Sequence, residues 1–114
     1  GTMHVSNVPP GLHVVTERSF RPEVSGREVL LMHELEAWRQ SDVPSESEIA
    51  RVLALHRKPP FDGMCVHLPE QNYGTRSSTI IRVGALGHLE WHYAEGPACR
   101  TPHQPLGRWS TARP

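Results

Sequence analysis

The hydrophobic period of this chain switches from helical to strand spacing at Lys58-Pro59-Pro60, and that change constrains its fold more than any other feature. Upstream, apolar residues return every three or four positions; downstream they return every second position. A helical region followed by a strand region in one short chain is an α+β arrangement. With 114 residues there is room for one domain.

Two helices are predicted upstream. Ser25 can cap the first, whose stripe is Val29, Leu30, Met32 or His33, Leu35 and Trp38. In the second, Ser45 and Glu48 form a capping box, each able to accept one otherwise orphaned amide. Its stripe is Ile49, Val52, Leu53 and His56, and Pro59-Pro60 stops it. A short strand is expected ahead of both helices, from Leu12 to Thr16.

Three strands are predicted downstream: "GMCVHL", "RSSTIIRV" and "HLEWHYAE". Gly84-Ala85-Leu86-Gly87 joins the last two as a hairpin. From Gly96 onward the sequence is proline-rich and aperiodic, and is expected to run over the surface. The expected division is therefore a tag remnant and disordered lead-in over 1–8, a single α+β domain over 9–95, and a C-terminal extension over 96–114.

Charge and hydropathy exclude several function classes. Lys plus Arg and Asp plus Glu both number 12, so no bulk charge favours nucleic acid or an anionic membrane. Apolar runs are too short for a transmembrane helix. No signal-peptide pattern opens the sequence, and Cys65 and Cys99, which could form one disulfide, stand in no metal or redox spacing, so both are expected as free thiols of a cytoplasmic protein. Hydrophobic residues make up 37% of the chain and its mean hydropathy is −0.47, a low supply for a self-contained core. Eight histidines are an excess for this length.

"PPGLHVVTERSF" and, further on, Tyr73-Gly74-Thr75-Arg76-Ser77-Ser78-Thr79 ahead of an apolar strand resemble segments of the NRDE family, the transport-and-Golgi-organization proteins. The resemblance covers roughly Pro9 to Pro102. It implies half of an N-terminal-nucleophile hydrolase sandwich, with two helices packed on an antiparallel sheet. In that class the side chain of an N-terminal Cys, Ser or Thr attacks, and the free α-amine is the base. Neither the Asn-Arg-Asp-Glu motif nor an early cysteine is present, so that nucleophile has no counterpart here. The resemblance is to a C-terminal half. Half a sandwich leaves a sheet face uncovered, which favours a homo-oligomer.

The histidines suggest the chemistry. On a strand, His88, Glu90 and His92 share one face while Leu89, Trp91 and Tyr93 take the other. Two residues of that polar row could hold zinc or manganese with a ligand from a neighbouring strand, His67 or Cys65. The alternative is a solvated face over a core of Leu89, Trp91 and Tyr93. Arg76 could clamp an anion and Ser77 or Ser78 could donate to an oxyanion. Cys99, beside Arg100 and near His103, is the candidate reactive thiol. The expectation is a small hydrolase acting on an ester, amide or phosphoester of a small molecule through His67, His88, Glu90 and His92, with Arg76, Ser77 and Cys99 in catalytic roles. The competing expectation is a non-catalytic half that pairs with a missing N-terminal part.

Overall fold

A computed structural model describes residues 3–15, 26–39 and 44–109. Helix α1 (Gly26–Glu34) is followed by a 3-10 turn, Glu36–Arg39. Its buried residues are Leu30, Leu31 and, just past its end, Leu35, while Val29 and Met32 are exposed at 59% and 44%. The inward stripe is therefore rotated by about one residue from the predicted one. The run Val-Leu-Leu-Met allows either phase, and Arg27 helps to fix it by donating from Nε to the Gly63 carbonyl at 3.0 Å. Ser25 and Thr16 lie outside the described residues.

Helix α2 (Glu46–Leu53) starts as expected, with Ser45 Oγ accepting from the Glu48 amide at 3.3 Å. It packs Val52 against Leu31 and Leu35, and Leu12, Val14 and Trp38 close over this small core. Residues 12–15 reach it without forming the expected strand.

Beyond α2 the chain doubles back on itself. A 3-10 turn at Pro60–Asp62 reverses it, and the Leu55 carbonyl then accepts from both the Met64 and the Cys65 amides at 2.9 Å. A Cβ at Gly63 would come within 2.8 Å of the Arg57 nitrogen, so glycine permits this close return.

Two antiparallel sheets follow. Strands β1 (His67–Leu68) and β2 (Tyr73–Gly74) form a two-stranded ribbon. Strands β3 (Ser77–Val83), β4 (Leu89–Glu95) and β5 (Gln104–Trp109) form a three-stranded sheet in that order. Two expectations are corrected here. The "GMCVHL" segment contributes a two-residue strand to the ribbon, and the third strand of the larger sheet comes from the stretch expected to lie over the surface. Pro105 hides that strand from a sequence reading, because proline removes a ladder donor and is tolerated chiefly on an edge. β5 is an edge strand, re-phased by an irregularity opposite Trp91 and His92.

The larger sheet also turns the opposite face inward from the one expected. Ile80 is 3% exposed and Ala94 1%, and the register sets Ile80 opposite His92 and Ala94 opposite Ser78. This is the face that meets α2, through the contact of Glu46 with His92. The other face carries Ile81 and Val83, exposed at 57% and 72%, with Leu89, Trp91 and Tyr93 half-buried beside them. Alternation in "HLEWHYAE" separates the two faces but cannot say which one a helix will cover. The partner strand decides, because Ile80 lies on the histidine side. Among the described residues no helix is long and apolar enough to cross a membrane.

Candidate metal centre

Four side chains converge where three segments meet. His56 leaves the end of α2, Cys65 is held by its own amide, which shares the Leu55 carbonyl with Met64, and His67 opens β1. Cys99 comes from the turn between β4 and β5, where the Arg100 and Thr101 amides both donate to the Pro97 carbonyl at 3.0 Å. Gly96 enters that turn at φ +142°, a conformation that favours glycine.

His67 Nε2 lies 3.5 Å from Cys65 Sγ and 3.2 Å from Cys99 Sγ, and the His56 and His67 rings are 5.1 Å apart. One ligand atom from each of His56, Cys65, His67 and Cys99 lies within 4.8 Å of all the others. Zinc bonds of about 2.3 Å to sulfur and 2.0–2.1 Å to nitrogen, arranged tetrahedrally, set ligand atoms about 3.4–3.8 Å apart. The four donors therefore need shifts of about an ångström or less to enclose such an ion. Cys65 is buried and Cys99 exposed.

Local electrostatics suit ligation in part. The Cys65 thiol is pushed up, first by burial and further by the side chain and charge of Cys99, with the backbone amides of Cys99 and Ala98 opposing the rise. Desolvation lowers the His67 pKa, with the Arg100 and His56 charges adding to it, so its ring favours the neutral form that can donate a lone pair.

A second grouping, Glu46, Glu90 and His92, lies between α2 and the sheet. His92 Nε2 is 3.0 Å from Glu46 and 3.9 Å from Glu90, and its side chain is 13% exposed. Arg82 approaches Glu46 at 4.0 Å and Arg108 approaches Glu90 at 3.5 Å. The two carboxylates already face two guanidiniums.

The quartet expected from sequence is thus divided. His67 joins Cys99 in the first grouping, and Glu90 joins His92 in the second. His88 belongs to neither, and lies along a groove of about 620 Å³ with Arg82 and Glu90. Arg76 and Ser77 are exposed at the entry to β3. In the same block Thr75 Oγ1 accepts from the Val66 amide at 2.9 Å, which ties β2 to the Cys65 segment. Ser78 Oγ lies 2.7 Å from His103 Nε2. The His103 pKa is lowered, first by burial and then by the His92 charge.

From sequence, His56 is a packing residue on the α2 stripe; in the structure it faces the cluster. Its nearness to Cys65-x-His67 across a double proline is the signal that could have found it. No family model, curated protein or solved structure matches the chain.

Proposed function

We propose that this chain is a zinc-binding interaction domain. The carrying observation is the convergence of His56, Cys65, His67 and Cys99 within 4.8 Å. Two sulfurs and two imidazole nitrogens suit zinc, whereas manganese prefers oxygen donors. Four protein ligands fill a tetrahedral ion, which is the pattern of a structural site; a hydrolytic zinc keeps one position open for water. The ion would bind the end of α2, β1 and the β4–β5 turn to one another. That suits a chain whose described residues include few buried apolar side chains, since small domains often depend on a metal for stability. A reducing, cytoplasmic setting belongs to the same proposal, because there the two thiols stay available to the ion.

The interaction role rests on the sheet face that exposes Ile81 and Val83, together with the NRDE resemblance. If the chain is the C-terminal half of such a protein, the N-terminal part covers that face. Metal analysis of protein purified under reducing conditions tests the central claim. One zinc per chain is expected, and Cys65→Ser should abolish it; a metal-free wild-type protein that resists loading would overturn it. Light scattering of the isolated chain then separates an exposed face, seen as monomer, from one covered by a second copy.

One observation favours a hydrolase. The Ser78–His103 contact of 2.7 Å joins a hydroxyl to a histidine held towards its neutral, basic form. His103 lies on a cleft of about 380 Å³ that also includes Glu46, Cys99 and Arg100. Hydrolysis of a small activated ester that disappears in Ser78→Ala and survives chelation would move the function to this pair.

A further inference from the structure

Cys65 and Cys99 are the only cysteines in the chain, and they are 34 positions apart. Folding brings their sulfurs within 4.8 Å of each other in the same cluster. Their settings differ: Cys65 is 2% exposed and packed in the interior, whereas Cys99 is exposed on a turn. The turn is held by the two amides that donate to Pro97, and the Cys99 side chain projects from it beside the cationic Arg100. A small oxidant from solvent meets the Cys99 sulfur first, and the second sulfur stands immediately behind it.

We propose that this pair is a site of oxidation by hydroperoxides, at which formation of a Cys65–Cys99 disulfide ejects the metal. The proposal rests on the zinc reading above. In the first step the Cys99 thiolate attacks one oxygen of hydrogen peroxide. The O–O bond breaks, a Cys99 sulfenic acid forms and hydroxide leaves. In the second step the Cys65 thiolate attacks the Cys99 sulfur, the S–O bond breaks and a second hydroxide leaves. Two protons convert the hydroxides to water. Two thiolates have lost two electrons, and peroxide has gained them.

The product cannot hold zinc as before. The disulfide removes both anionic ligands and leaves His56 and His67, too few to retain a structural ion. The resolving thiolate is already within the cluster, so disulfide closure competes well with further oxidation of Cys99. A cellular dithiol can reverse the disulfide by exchange and restore the site.

The experiment treats reduced, zinc-loaded protein with hydrogen peroxide. Released zinc is followed with a chromogenic chelator, and the cysteines are mapped by peptide mass spectrometry. Zinc should appear in step with a Cys65–Cys99 cross-link that makes the chain about 2 Da lighter. A dithiol reductant should restore binding. In Cys65→Ser a sulfenic-acid trap should label Cys99, because the resolving thiolate is gone. If the reduced protein holds zinc but peroxide neither releases it nor links the two cysteines, the inference fails and the zinc reading stands. The inference fails equally if peroxide oxidises the two sulfurs separately. A reduced protein that binds no zinc at all overturns both.

Discussion

The two polar groupings look alike on paper and differ in chemistry. Each gathers histidine with potential anions in a space of about 5 Å. Around Glu46, Glu90 and His92 the negative charge is already met by Arg82 and Arg108, so an added cation would displace partners that are in place. Around His56, Cys65, His67 and Cys99 no carboxylate is part of the set and the donors are soft. The comparison teaches that convergence of ligand types is not enough. What already neutralises them decides whether a metal gains anything by binding.

The largest test of that contrast is removal of the ion. With free zinc about a thousandfold above its dissociation constant, the metal should add roughly 4 kcal/mol of stability. Denaturant midpoints with zinc and with chelator measure it; equal midpoints would erase the distinction between the groupings. His92→Ala should act differently. It should cost no more than about 1 kcal/mol, because Glu46 and Glu90 are each 37% exposed and keep their arginines, while zinc content stays at the wild-type level. Loss of zinc in that variant would show the groupings to be one site.

Effects no larger probe the framework between them. Ser45→Ala removes the cap of the helix that carries Glu46 and leads to His56, and should cost about 1 kcal/mol in denaturant unfolding. His103 supplies a pH test. Its pKa in the fold lies below the ordinary 6.5, through burial and the His92 charge, and Glu46 of α2 lines the same cleft. Its contribution is fully present above 6.5 and declines as pH falls through the folded value, because the unfolded chain takes up the proton first. Wild type should therefore lose stability over this range more steeply than His103→Gln. Smallest of all, Arg76→Ala and Ser77→Ala should change stability by less than about 0.5 kcal/mol, since both residues are exposed.

The helices and the β3–β4 hairpin are legible because their signals are local. Ser45 and Glu48 are three residues apart, and glycines flank the hairpin turn at Gly84 and Gly87. The hairpin register, Ser77 opposite Glu95 through Val83 opposite Leu89, follows from that turn. β5 is hidden because Pro105 breaks the strand pattern and the bulge shifts its alternation. The inward face of β4 is the reverse of the expected one because it depends on Ile80 and α2, which are outside the segment.

The candidate site is half legible for the same reason. Cys65-x-His67 is visible as a spacing, and so is Cys99 near basic residues. Their union with His56 depends on the reversal at Pro60–Asp62 and on the Gly96 turn, neither of which announces a destination. The row at His88, Glu90 and His92 attracts attention through its regularity, yet only Glu90 and His92 stay together, beside Glu46 of α2.

β5 also bears on how copies of this chain can meet. Its outer edge has lost one amide donor at Pro105 and is out of phase past the irregularity opposite Trp91 and His92. An incoming strand would find that ladder interrupted midway. Lengthwise growth into a continuous ribbon is thereby discouraged at this border.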